Sequence, residues 1–261
     1  METSKMKKEK SHYETNRYFK AFVKMLEDGT LHSYLKYYIK FVRKYVKKDS
    51  KILDLGCGLG LSSYLLSKNY EVIGADYSRP FINYAKKKFR NVKFKKEDAR
   101  KLSFKNQTFD TVAACGFIEH IKEVDKVLKE MLRVTKKNGL IIVVSPSWFS
   151  PLRAIKGLIK PKGFETIGRN RLQITGWLLK SIYYSFQKLI SPRYIFKNPD
   201  IFGEELVSHD IDMVYIANPY DLKKFFKKEG CKVLKLSADT FPYSFIPNIS
   251  PWLGVVAKKL R

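Results

Sequence analysis

The sequence predicts an α/β fold: a doubly wound, mostly parallel seven-stranded sheet with helices on both faces and a helical insertion before the sixth strand. Three observations predict it. From residue 50 onward, short apolar runs of strand length alternate with segments of helical period. Those runs are almost continuously apolar, as strands covered by helices on both faces must be. A glycine-rich loop follows the first run, at Asp54-Leu55-Gly56-Cys57-Gly58-Leu59-Gly60. Sheets of this kind bind their ligands beyond the carboxyl ends of the strands.

The elements follow in order. Tyr13–Met25 and Leu31–Val46 read as two helices ahead of the sheet; the second carries Leu35, Tyr38, Ile39 and Val42 on one face. Lys51–Leu55 is the first strand and Leu61–Lys68 the helix after the glycine loop. Glu71–Ala75 is the second strand, ending at Asp76, and Pro80 suits the first turn of a helix reaching about Phe89. Val92–Lys95 and Phe109–Cys115 are the third and fourth strands. Asp125–Val134 has helical period, and Lys137-Asn138-Gly139 is expected to separate it from the fifth strand, Leu140–Val144. The pattern lapses from Ser145 to about Asp212, apart from a helical segment at Ile174–Ile190. A helix started by Pro219 leads to the strands Cys231–Leu236 and Trp252–Ala257. The chain thus divides into an N-terminal helical cap (1–49), a core (50–146 and 207–261) and an insertion (147–206). That insertion is longer than the usual connection of a compact domain, which marks it as functional.

Composition narrows the setting. No run of 18 or more apolar residues occurs, so no spanning helix is expected, and no apolar stretch near Met1 resembles a signal peptide. Cys57, Cys115 and Cys231 lack metal or redox spacing and read as small buried thiols. No metal site is expected, and the location expected is cytoplasmic. The outlier is charge: 51 Lys+Arg against 25 Asp+Glu, a formal net of +26. Such a balance attracts nucleic acid, an anionic membrane or an acidic substrate, and equally describes a plain solvated surface.

The chemistry sits at the strand ends. A dinucleotide loop needs Gly-x-Gly-x-x-Gly; here the third glycine comes one residue early, at Gly60, and Leu61 stands in its place. The Gly-Lys-Ser/Thr of a P-loop is missing, and Asp54 puts a carboxylate where a phosphate would be repelled and a cation favoured. The ligand expected is adenosine-like and positively charged, a description that S-adenosylmethionine fits. Asp76, 20 residues beyond Gly56, can accept from both hydroxyls of a ribose, or else caps the Pro80 helix. Asp98 can accept from an adenine amino group, or is a plain turn acid.

Ile52 to Gly60, then Gly74-Ala75-Asp76-Tyr77-Ser78, Glu97-Asp98-Ala99 and Phe109-Asp110-Thr111-Val112 resemble the successive motifs of class I S-adenosylmethionine-dependent methyltransferases, in the ubiquinone-biosynthesis-like, type 11 branch. Leu132–Leu140 is similar to the stretch entering their fifth strand. The resemblance covers about 50–145 and 213–236, and it implies a Rossmann-like core with S-adenosyl-L-methionine as cofactor. It implies that Asp54 faces the methionine ammonium, that Gly56, Cys57, Gly58 and Gly60 form the cofactor loop, and that Asp76, Tyr77 and Ser78 hold the ribose side. Asp98 with Ala99 would reach the adenine, and Cys115, Gly116 and Phe117 would line the sulfonium region.

Glu119-His120 follows the fourth strand and is similar to a pair in small-molecule and lipid O-methyltransferases of this class. A histidine there can take the proton of an acceptor hydroxyl as it attacks the methyl carbon, or simply packs. His209, Asp212 and Tyr215, after the insertion, are expected on the acceptor side, as are Tyr13 and Tyr18 from the N-terminal segment. Residues 151–200 hold ten Lys+Arg and two acids among several aromatics. This fits an interfacial segment on an anionic membrane, a cap over an apolar acceptor, an RNA groove with stacking residues, or a lid of core aromatics. The preferred function is methyl transfer to a small-molecule or lipid-like acceptor, at oxygen. The alternative is an RNA methyltransferase, since nucleic acid stays open as a partner at this charge; a cofactor-binding protein without chemistry is the third reading.

Overall fold

In the computed structural model, which describes residues 12–147, 150–159, 170–196, 213–236 and 252–261, the sheet is centred on β1 (Lys51–Leu55). β1 pairs in parallel with β2 (Glu71–Asp76) on one side and β4 (Phe109–Cys115) on the other. β3 (Lys93–Lys96) extends the first side and β5 (Thr135–Pro146) the second, both parallel. β7 (Trp252–Lys258) then runs antiparallel between β5 and β6 (Lys232–Lys235), giving the order β3-β2-β1-β4-β5-β7-β6. The strand order reverses between β1 and β4, and the crevice above that point is where ligands of such sheets bind.

Alternation along the strands sorts the core into two layers. Ile52, Ala113, Ile142, Val144 and Val256 face α1 (Asn16–Glu27), α2 (Thr30–Tyr45), α3 (Leu61–Ser67) and α4 (Arg79–Lys88). Leu53, Leu55, Val112, Ile141 and Val143 face α5 (Val124–Val134) and α8 (Pro219–Lys228). α5 buries Val127, Leu128, Met131 and Leu132, each side chain contributing about 1.5–3 kcal/mol of burial. α4 and α8 start on side-chain caps: Ser78 Oγ accepts from Phe81 N–H at α4, and Asn218 Oδ1 from Tyr220 N–H at α8.

Two expectations about boundaries change. β5 starts at Thr135, directly after α5, so residues 137–139 belong to the strand rather than to a break before it. The Thr135 hydroxyl closes the helix on Met131 O at 2.6 Å, and the register shifts between Phe109 and Thr111. Gly139 is required in that irregular stretch, because a Cβ there would lie 2.7 Å from Asp110 O. The insertion also holds a helix the sequence pattern did not separate, α6 (Pro151–Ile159), ahead of α7 (Arg171–Ile190). Ala154, Ile174, Met213 and Ile216 form a third, small core between these two helices and the segment entering α8. Among the described residues no helix is long and apolar enough to cross a membrane.

Candidate functional site

The carboxyl ends of β1 to β5 open into a cavity of about 780 Å³. Its floor is the glycine loop. Gly56, Gly58 and Gly60 take φ of +74°, +53° and +86°, a left-handed conformation that side chains resist, and Gly56 and Cys57 both donate to Ala75 O. A Cβ on Gly56 would lie 2.5 Å from the Phe117 ring, so only glycine lets the two walls meet. Gly60 does not line the cavity. It heads α3 and packs beneath the loop, where a Cβ would strike Ala85 and Phe94.

Asp54 is buried at the back of this loop. Its Oδ1 accepts from the Tyr38 hydroxyl at 2.8 Å, and its Oδ2 from Ser62 and Ser63 at 2.6 Å each. Burial nevertheless raises its pKa above the ordinary carboxylate value, against the pull of those three hydroxyls. The carboxylate therefore tethers α2 and α3 to β1 as well as lining the cavity. Tyr38, Ser62 and Ser63 are partners the sequence reading did not single out.

Asp76, at the end of β2, accepts from Gly58 N–H at 2.9 Å and from Ser78 N–H at 2.8 Å. Desolvation raises it too, with the two amides pulling the other way. A carboxylate has about four acceptor positions, so two remain for hydroxyls in the cavity. Tyr77 and Ser78 stand beside it, and the Ser78 hydroxyl donates to Tyr13 O at 2.7 Å.

Asp98 and Ala99 reach the cavity from the loop after β3, but Asp98 is engaged. Arg100 grips it through Nε at 2.9 Å and Nη2 at 2.6 Å, and the same guanidinium donates to Glu123 at 3.0 Å. These charge-assisted bonds tie the loop after β3 to the loop after β4 across one end of the cavity. Arg100 and Glu123, both cavity residues, carry no motif signal; only their spacing in three dimensions brings them together.

Cys115, Gly116 and Phe117 line the opposite wall at the end of β4. Burial pushes the thiols of Cys57 and Cys115 well up, so both stay protonated. His120 ends a single 3-10 turn, Ile118–His120, and lines the cavity with its ring 6.4 Å from that of Tyr13, edge to face. Glu119 points away. It is fully buried, its Oε2 accepts from Ser145 at 3.0 Å, and its carbonyl accepts from Val214 and Tyr215 N–H.

The roof is apolar. Tyr13 and Tyr18 stand edge to face at 5.3 Å, and Tyr18 stacks on Phe81 at 5.6 Å. Glu14 locks this segment to the core through Lys96 at 2.7 Å. Phe22, Met25, Leu31, Leu35 and Trp252 complete the wall, and Arg153 of α6 and Pro146 also line the cavity. Tyr215 does not reach it: wholly buried, it bonds Asp221 at 3.2 Å, on a segment that gives only Val214 to the cavity. His209 and Asp212 lie outside the described residues. Among those described, no group of three or more metal-ligating side chains comes together.

Residues 53–143 match a family model described as a methyltransferase domain. The phosphatidylethanolamine N-methyltransferase of Cereibacter sphaeroides is 33% identical over 104 residues, which is 38% of this chain and 51% of that protein. The ubiquinone/menaquinone biosynthesis C-methyltransferase UbiE of Campylobacter jejuni subsp. jejuni is 36% identical over 108 residues, 38% of this chain and 46% of that protein. The chain thus spans about half the length of these curated relatives. Among solved structures, the PH0226 protein from Pyrococcus horikoshii OT3 shares the fold with a TM-score of 0.58 at 24% identity, over 88% of this chain and 91% of that one.

Proposed function

We propose that this chain, built on a class I S-adenosylmethionine-dependent methyltransferase domain of the ubiquinone-biosynthesis-like branch, transfers the cofactor's methyl group to a small-molecule or lipid-like acceptor, at oxygen. The observation that carries this reading is that one cavity is lined both by the glycine loop and Asp76 and by His120 with the apolar side chains of Phe22, Leu35 and Trp252.

The residues present fit the cofactor. The bare backbone at Gly56 leaves room that any side chain would fill, and Asp76 keeps acceptor positions open beside an amide-rich turn. When bound, the cofactor supplies an electrophilic methyl group on a sulfonium. Asp76 would hold the ribose hydroxyls, with Tyr77 and Ser78 beside it. Asp98 with Ala99 would meet the adenine, Asp98 held in place by Arg100. Asp54 would present negative potential to the ammonium from beneath the loop, and Gly116 and Phe117 would close the sulfonium side. His120 would take the proton from the acceptor hydroxyl, a step that positioning alone already favours. Glu119 would support it by fixing the turn rather than by touching substrate.

In this reading 50–146 and 207–261 form the cofactor-binding core, 1–49 the cap and 147–206 the acceptor-side insertion. A lipid-like acceptor goes with a cytoplasmic protein touching an anionic membrane through 151–200. The net charge of +26 supports the second reading, an RNA acceptor.

One experiment separates these. The protein is incubated with labelled S-adenosylmethionine and fractionated lysate; label is expected in the lipid or small-molecule fraction. Label in RNA would overturn the acceptor. Calorimetry showing no binding of S-adenosylmethionine or its demethylated product would overturn the donor.

A further inference from the structure

α7 has two apolar faces. One packs Ile174, Trp177 and Leu178 with Ala154 of α6 and with Met213 and Ile216. The other repeats at 172, 179, 183, 186 and 190, steps of seven, four, three and four that stack along one side of a helix. Nothing described covers it: Leu172 is 83% exposed, Leu179 63%, Tyr183 62%, Phe186 67% and Ile190 74%. Ile182 and Leu189 flank the stripe at 53% and 55%. Single exposed apolar residues are ordinary, but a continuous stripe along a 20-residue helix marks a docking surface.

Charge identifies the occupant. The described residues between 150 and 196 include no Asp or Glu and, apart from Lys188, which is buried against Asp221, hold five cations, Arg153, Lys156, Arg171, Lys180 and Arg193. Arg171 and Lys180 are exposed on either flank of the stripe. From there long side chains lay their methylenes on an apolar surface and hold their charge at the level of phosphates. RNA would satisfy the cations and leave the Leu and Ile stripe in water. A lipid interface satisfies both.

We propose that the outer face of α7 docks on an anionic lipid bilayer, the helix lying in the plane of the interface with its stripe about 5–10 Å deep. This deepens the lipid-like acceptor reading and rests on it in one respect. α7 packs on α6, and α6 carries Arg153 into the cavity wall, so a docked bilayer lies on the helix pair that borders the cavity.

The test is flotation of the full chain with vesicles of phosphatidylglycerol and phosphatidylcholine, against phosphatidylcholine alone. Binding is expected only to the anionic vesicles, weakening as salt rises. The Leu179→Glu/Phe186→Glu double variant, which alters exposed side chains, should lose at least about tenfold in vesicle affinity. It should bind the demethylated cofactor product as the parent does, which establishes that it is folded. Equal flotation of parent and variant, or no flotation at low salt, overturns the proposal. A dimer that the variant turns into monomers would give the face to a second copy, and loss of RNA retention in the variant would give it to RNA; either result overturns the bilayer. Failure of the parent to bind the cofactor product would sink the methyltransferase reading and leave the flotation result standing.

Discussion

The Tyr38 hydroxyl donates to Asp54 Oδ1 at 2.8 Å, joining the helix ahead of the sheet to the strand that enters the glycine loop. Both groups are buried, and the carboxylate has Ser62 and Ser63 on its other oxygen. Tyr38→Phe removes one of three hydroxyls from a buried acid, so a loss of roughly 1.5–3 kcal/mol is expected in denaturant unfolding. The sign of its pH dependence is also fixed. Asp54 is raised in the folded protein by burial, so the folded state holds its proton longer and stability falls as pH rises from the ordinary value of 3.8 through the folded one. Losing the Tyr38 donor raises it further, and the falling limb should extend to higher pH in the variant. An unchanged limb would show that the hydroxyl carries no weight there.

Asp76→Ala removes the acceptor of two backbone amides and the group proposed to hold the ribose. Cofactor affinity is expected to fall at least tenfold in calorimetry, about 1.4 kcal/mol or more. Affinity equal to the parent's would reject the ribose role.

His120→Ala should leave cofactor binding intact and slow turnover, by roughly 10²–10⁴ if the histidine takes a proton in the transition state. A rate within a factor of two or so would make His120 a packing partner of Tyr13 alone.

Lys188 and Asp221 form a buried ion pair that joins α7 to α8, with Tyr215 on the same carboxylate. Breaking it by Asp221→Ala should cost about 3–5 kcal/mol, because a buried ammonium loses its counter-charge and keeps only the Arg193 carbonyl; replacing both, as Lys188→Met with Asp221→Leu, should cost less. Burial pushes the Asp221 carboxyl up to about 6, so the folded state takes up its proton first. Stability should therefore fall as pH rises from about 4 to about 6, and Asp221→Asn should flatten that slope. Thermal unfolding across this window checks it.

The fold was largely legible because a parallel sheet writes itself as separate apolar runs. Apart from Gly60, which packs beneath the loop, the motif residues expected from Asp54 to Phe117 line one cavity, since strand ends carry them. Arg100 and Glu123 were not legible: two surface-type charges 23 residues apart show no pattern until both loops fold over one cavity end. Tyr215 misled for the opposite reason. In a polar stretch it reads as a site residue, but an antiparallel bridge to Phe196 and the bond to Asp221 hold it buried. Glu119 and His120 are neighbours in sequence, yet the 3-10 turn sends one to the core and the other to the cavity.

The position of β7 has a consequence for how the molecule assembles. Trp252–Lys258 lies between β5 and β6, pairing Val143 with Val255 and Ala257 with Val233. Until those residues leave the ribosome, β5 presents an open apolar edge and β6 has no partner, although the segment that forms the cofactor loop is already made. Final closure depends on contacts more than a hundred residues apart, which slow folding and leave an edge for aggregation. Cutting the chain before Trp252 would therefore unzip one side of the sheet while sparing the glycine loop in sequence.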